Sequence, residues 1–460
     1  MRATALLHDI DPILAGRAIR PGDTDYDAAR GPAAIAADQR PAVIVRAANI
    51  SDVTLAIELA RSADLELAVR GGGHSLAGHS MTDGGILLDL GDMREMWVYP
   101  EQHMAWADAG LTAGEFTRTA AAHGLATGFG DTASVGIAGL TLGGGIGWLV
   151  RKHGLTIDNL VAADIVTADG EYLPVSATKH PDLFWALRGG GGNFGVVTRF
   201  AFRLHPVATV LGGLLVLPAT PEVVHGFVAA AEAAPDDLTT IAHLAPAPPM
   251  PLIPAERHGQ LALMVSLVHA GDPTRASRDI APMRALAEPI ADTVRPMVYP
   301  KVYDLPTTAP HGGPAAMRST FVDEIDADGA ATMIEQMQRA PSGRAMTQIR
   351  VLGGAVASVP PDVTAFAHRR RRAMVTVATS HGEGSGGIAE DAWAMETIDA
   401  LPGSGRGVYA NFLRDEGSER VREAYPDGTY ERLAAIKARY DPTNLFRRNA
   451  NVEPVRGGAW

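Results

Sequence analysis

The sequence predicts an α+β protein of two domains, and three observations carry that prediction. From Pro41 short β-branched runs alternate with amphipathic helical text, and glycine clusters interrupt them at 71–73, 128–147 and 189–195. Near Pro206 the texture changes to longer apolar runs, Ala-rich helical text and Pro-rich stretches such as "APAPPMPLIPAER", which predicts an antiparallel sheet covered by helices. From about Gly405 a turn-rich end holds one more helix. With 460 residues, 46% of them hydrophobic, more than one core is expected. The boundaries read as 1–205, 206–404 and 405–460.

The elements follow in order. "AVIVRA" reads as a strand, "SDVTLAIELARSAD" as a helix capped by Ser51, and "LELAVR" as a second strand. The loop "VRGGGHSLAGHS" leads to the strand "GGILLDL". "HMAWADAGLTAGEFTRTAAAHGLA" reads as strand, cap and helix, and "GFGDTASVGIAGLTLGGGIGWL" is the second glycine cluster. "LVAADIVTADGEYLPVS" reads as a hairpin turning on Asp169-Gly170, and "HPDLFWALRGGGGNFGVVTRFAFRLHPV" as helix, glycine loop and strand. Further on, "LALMVSLVHA", "MTQIRVLGG" and "AMVTVATSH" are strands between helices. The end gives a strand "GVYANFL" and a helix around "TYERLAAIKARY".

Bulk chemistry narrows the function. No apolar run approaches the ~20 residues of a membrane span. The start "MRATALLHDIDPILAG" shows no secretory pattern, so a cytoplasmic enzyme is expected. The count of cysteines is 0, which removes disulfides and thiolate chemistry. A net charge of −12 is unsuited to nucleic acid, and no metal-ligand cluster stands out. Residues Gly190–Gly195 satisfy G-x-G-x-x-G, but that loop follows helical text and enters a strand, the reverse of a dinucleotide fold. Neither a P-loop lysine, nor HExxH, nor G-x-S-x-G occurs. Backbone amides of glycine loops can still hold a pyrophosphate without lysine. For "GGGH" a metal, a phosphate and a covalent cofactor all stay open at this point.

Longer motifs decide among them. "PAVIVRAANISDVTLAIELARSADLELAVRGGGHS", "GIAGLTLGGGIGWLVRKHGLTIDNL", "HPDLFWALRGGGGNFGVVT" and "YDPTNLFRRNANVEP" stand in the order found in berberine bridge enzyme-like oxidases. The chain resembles that branch of the vanillyl-alcohol oxidase/p-cresol methylhydroxylase superfamily, strongly over 40–205 and well over 405–455. The resemblance implies an FAD domain from 1–205 with 405–460 returning to it, and a substrate domain over 206–404. It implies FAD bonded through its 8α-methyl to His74, inside a loop of Arg70, Gly71, Gly72, Gly73, Ser75 and His79. Further cofactor contacts are implied for Gly130, Thr132, Ser134, Val135, Gly136, Gly139, Gly143 and Gly147. The remaining ones are Asn159, Leu160, Gly192, Gly195, Val196, Asn411, Asn449 and Asn451.

Departures from the family pattern sharpen the expectation. Thr132 stands where many relatives carry a second, cysteinyl flavin link, so attachment is expected through His74 alone, as in singly attached bacterial members, some of them in antibiotic biosynthesis. Val135 matches the oxygen gatekeeper and favours O₂ access. Phe412 replaces the tyrosine base of plant relatives, and Val375 and Val377 stand where others place a carboxylate or glutamine. Tyr299, Tyr303, Gln348, Arg350, Tyr409 and Asn411 are expected to face the substrate. The run "HRRRRA" reads as a solvated loop, or else Arg369–Arg372 as a landing site for an acidic carrier. The implied activity is hydride transfer from a small secondary-metabolite alcohol, amine or phenolic substrate to flavin N5, with O₂ giving H₂O₂. Alternatives are a flavin-N5-oxide oxygenase on a polyketide-like substrate, a dehydrogenase with another acceptor, and a non-catalytic flavoprotein sequestering a metabolite.

Overall fold

The computed structural model describes residues 14, 16–31, 39–207, 209–305, 316–380, 387–405 and 407–455. Its first sheet holds strands Ala18–Ile19, Val43–Arg46, Ile86–Asp89 and Leu67–Arg70, in that order. The central Ile86–Asp89 runs parallel to both neighbours, and helix Ile50–Ala63 makes the crossover that parallel pairing requires. Asn49, not Ser51, caps that helix: its side chain accepts from the Asp52 amide, and Ser51 lies within the first turn. Either residue type can cap, and the chain direction leaving the strand decides which one does.

A second, antiparallel sheet is ordered Met96–Tyr99, Met104–Asp108, Val196–Arg203, Leu160–Val166 and Tyr172–Ser176. Its last hairpin turns at Asp169-Gly170, where Gly170 takes φ +88°. Thr112 and Glu115 form a capping box for helix Ala113–Ala121. Phe116 of that helix packs edge-to-face on Phe129 and Phe202, which anchors the start of the second glycine cluster to the sheet.

The third sheet has eight antiparallel strands, all lying between Thr209 and Thr379. Helices Pro221–Ala233, Pro273–Arg284, Ala327–Gln338 and Ile388–Ala400 pack their apolar residues against one face. Strand parity then settles which side chains face the rest of the molecule. Val375 and Val377 turn into the helix-covered core with Ile349 and Val351. Met374, Thr376 and Ala378 turn the other way, as do Gln348 and Arg350, toward the glycine-rich half.

The expected strand in "GVYANFL" is absent; a 3-10 turn, Ala410–Phe412, stands there instead. Gly407, at φ +109°, lies against the His368 ring, and only its carbonyl meets the sheet edge, accepting from the Phe321 amide. Beyond it, the side chains of Tyr409 and Asn411 bind backbone of the second glycine cluster, which holds the segment in a turn. Among the described residues, no helix is long and apolar enough to cross a membrane.

Candidate active site

The glycine clusters converge by direct backbone contact. A Cβ on Gly72 would lie 2.2 Å from the amide nitrogen of Gly136, so the first two loops touch where only glycine fits. The amides of Gly189 and Gly191 both donate to the Leu142 carbonyl, joining the third loop to the second. Asn411 Nδ2 donates to the Leu140 carbonyl at 3.0 Å, and Tyr409 Oη accepts from the Gly145 amide at 2.8 Å.

The tail fastens the same loops from outside. Arg448 donates to the carbonyls of Gly78 and Met81 behind the first loop, and Asn449 Nδ2 donates to the Gly192 carbonyl. Lys437 is fully buried, and its ammonium donates to Asn193 Oδ1, Asn451 Oδ1 and the Phe446 carbonyl. Burial lowers its pKa to about 8 against the opposing pull of Asp441.

Around the open side of this junction, Gly139 and Gly192 have nothing within 4 Å of a would-be Cβ, and Gly73 holds a left-handed φ of +71°. His74 and Ser134 are exposed there. Burial of part of its ring lowers the His74 pKa, opposed by a hydrogen bond to the Ser134 backbone, so the imidazole is neutral at pH 7. Buried, unpartnered polar atoms occur beside the loops at Ser80 Oγ, Thr141 Oγ1 and Asn449 Oδ1. Open amide-rich loops, spare hydrogen-bonding atoms and a neutral nucleophilic nitrogen suit a pyrophosphate-bearing cofactor held partly by a covalent bond.

Opposite stands the sheet wall. Arg350 Nε donates to Gln348 Oε1 at 2.7 Å, and its other end pairs with Asp131 at 2.5 Å. Gln348 Nε2 lies 2.8 Å from His243 Nε2. Burial raises and Arg350 lowers the Asp131 pKa, and Arg350 prevails. Burial, reinforced by the Arg350 charge, brings His243 to about 4. The wall thus meets the cradle through one ion pair, with Phe412 beneath the Arg350 guanidinium at 5.6 Å.

Residues 41–176 match a family profile described as FAD binding domain, and residues 408–453 one described as berberine and berberine like. An FAD-linked oxidoreductase of Bacillus subtilis is 30% identical over 96% of this chain and 98% of its own length. The chain belongs to the berberine-like FAD-linked oxidoreductases. The (R)-6-hydroxynicotine oxidase of Paenarthrobacter nicotinovorans is 30% identical over 96% of this chain and 97% of its own. Among solved structures, 6-hydroxy-D-nicotine oxidase from Arthrobacter nicotinovorans superposes with a TM-score of 0.84 at 28% identity, covering 96% of this chain and 98% of its own. The protein is therefore an FAD-binding oxidoreductase of the two-domain p-cresol methylhydroxylase type.

Within this family frame, several expected residues take structural posts. Asn411 and Tyr409 are committed to glycine-loop backbone, and Tyr409 is buried. Tyr299 lies in an apolar cluster with Trp148 and Leu149, and Tyr303 Oη meets Thr117 Oγ1 at 3.3 Å, so both dock the sheet domain on the loop domain. Asn159 is buried, donating to the carbonyls of His153 and Leu155 and facing His205 Nε2 at 2.7 Å. Leu160 and Val196 are buried strand residues paired with Phe202 and Val166. Gly195 is glycine because a Cβ would meet the Val166 carbonyl at 2.5 Å, and Gly147 because it would meet the Phe129 carbonyl at 1.2 Å. Gly143 leaves room for the Asn411 amide, and Gly130 for Leu140. Arg70 is held by Asp89 and the Ala29 and Arg30 carbonyls. His79 is partly buried; burial and then Arg448 lower it to about 4, and its amide donates to Ser75 Oγ. A Cβ on Gly71 would lie 3.5 Å from the Ala109 carbonyl, and Thr132 donates to Asp131.

The arginine run is not a uniform solvated loop. Arg369 is fully buried and doubly bonded to Asp158, while Arg371 and Arg372 pair with Asp323 and Glu232. Val375 and Val377, which stand where relatives are expected to place a carboxylate or glutamine, face the helices, and Thr376 turns toward the glycine-rich half. The reading missed Asp131, His243, Asn193, Lys437 and Arg448. Only His243, the one titratable residue inside the otherwise uncharged strand Leu238–Pro246, left a visible trace in the sequence.

Proposed function

We propose that the protein is an FAD-dependent oxidase of small secondary metabolites, with the cofactor tethered through His74 alone. The observation that carries this is the meeting of glycine loops beside a neutral, exposed His74, with the Gln348–Arg350 wall across from it. Bound there, FAD supplies a two-electron acceptor that O₂ can reoxidise with release of H₂O₂. Gly139 and Gly192, with open space about them, and Gly73 would offer main-chain amides free of side-chain obstruction for its pyrophosphate. His74 would supply the nitrogen for covalent attachment, and threonine at position 132 would form no second link. Val135, partly buried at the contact between the first two loops, supports access by O₂. Where plant relatives are expected to carry a tyrosine base, Phe412 holds no proton, so substrate polarity is met by the sheet wall.

The test is acid precipitation. Wild-type pellet should stay yellow and give a flavin-bearing peptide containing His74, while His74→Ala protein should be yellow when folded and release all colour to the supernatant. Stoichiometric H₂O₂ on turnover in air checks the oxidase assignment.

A further inference from the structure

Four polar side chains share one register row across neighbouring strands: Ser319 opposite Thr376, Thr376 opposite Gln348, and Gln348 opposite His243. Each is less than a tenth exposed, and the row lies on the face turned to the glycine loops. At about 4.8 Å per strand it spans about 14 Å.

Hydrogen-bond polarity at the His243 end follows from donor chemistry. Arginine only donates, so the Gln348 atom meeting Arg350 Nε is the carbonyl oxygen, and the amide cannot be flipped. The other end is then NH₂, a donor, and its partner His243 Nε2 must present a lone pair. A neutral ring with a lone pair on Nε2 carries its proton on Nδ1. Among the described residues, no protein partner is found for that Nδ1–H. A second observation is independent of this chain: the hydroxyls of Ser319 and Thr376, in the same row, are buried without a hydrogen-bond partner.

The surroundings define what such a donor can receive. Arg350 is paired with Asp131, so the pair brings no net charge. Met264, the cross-strand neighbour of His243, and Met346 belong to an apolar cluster that Phe412 packs against.

We propose that His243 is a specificity-determining donor whose Nδ1–H receives the carbonyl or phenol oxygen of a neutral, largely apolar substrate. The chain Asp131–Arg350–Gln348 fixes the tautomer that makes it a donor, which gives those three residues a positioning role. A cationic amine meets a donor there and no free carboxylate, and is selected against. The proposal rests on the wall being the substrate side of the cofactor site, as read above.

The experiment uses the full-length flavoprotein and two readouts that do not depend on flavin colour. Nitrogen-15 NMR of labelled histidine reports the His243 tautomer, and calorimetry compares 4′-hydroxyacetophenone with benzylamine. The expected result is an Nδ1–H tautomer and tighter binding of the ketone. His243→Phe should weaken the ketone about tenfold, and His243→Asn, whose amide places an N–H near Nδ1, should stay within about threefold of wild type. An Nε2–H tautomer overturns the proposal. So does absent ketone binding, an amine bound as tightly, or a His243→Phe protein that binds the ketone unchanged. Protein purified without flavin that still binds the ketone through His243 would sink the cofactor reading and leave this donor standing.

Discussion

In the glycine-loop half, the site is made of backbone: Gly72 against Gly136, Gly189 and Gly191 on Leu142, Gly145 on Tyr409. In the eight-stranded sheet it is made of side chains, with Arg350, Gln348 and His243 projecting from alternate positions of adjacent strands. The difference is in what each can tolerate. A backbone cradle fails sterically when any side chain is added, whereas a side-chain wall keeps its fold and loses or changes its chemistry. The two regions share the link Asp131–Arg350, and that link is where one can be tested through the other.

The largest expected effect is steric. Gly147→Ala would place a methyl 1.2 Å from the Phe129 carbonyl, and the cost should exceed about 4 kcal/mol, abolishing soluble folded protein. A normal yield and melting temperature would break the idea of an intolerant cradle.

Next comes the link. Arg350→Met leaves Asp131 without its partner, and, because Asp131 is partly exposed, should cost about 2 kcal/mol. Asp131→Asn with Arg350→Met should recover about half, which chemical denaturation of the single and double variants would read as a coupling energy. Additive losses would mean that the two regions are not joined here.

Acid should act on both regions, since burial lowers His243 in the wall and His79 in the first glycine loop to about 4 alike. His243 and His368 each have folded pKa values near 4, lowered first by burial, against 6.5 when unfolded. The unfolded chain therefore binds more protons between those values. Stability is complete above pH 6.5 and falls as pH drops toward 4, by on the order of 3 kcal/mol per histidine. His243→Asn should flatten that slope in a pH series of denaturant midpoints, and an unchanged slope would contradict the neutral ring.

The smallest effect separates neighbouring residues. Val375→Thr places a hydroxyl in the helix-covered core and should cost about 1–2 kcal/mol with turnover unaltered. Thr376→Val, one residue on, should alter ligand affinity at nearly constant stability. Reversed outcomes would show the strand in the other register.

Much of the cradle was legible in advance because glycine and histidine motifs are local. "GGGH", the Asp169-Gly170 hairpin and the order helix–loop–strand around Gly190–Gly195 all appear as read. The wall was less legible. Period-two patterning fails in a strand buried on both faces, as Ala373–Thr379 is at every position, so the sequence could not say whether Val375 or Thr376 meets the site. The loop contacts of Tyr409 and Asn411 were not legible, because a polar side chain beside a glycine loop serves equally well to bind substrate or to hold the loop.

By itself, then, the sequence determined an α+β chain with three glycine clusters, the first ending at His74, since these features depend on backbone freedom and on local motifs. Only the tertiary structure decided that Asp131, Arg350, Gln348 and His243 form one chain. Those residues lie as far as 219 positions apart, and a hydrogen bond of fixed polarity exists only once strand register and domain docking have brought its two ends within reach.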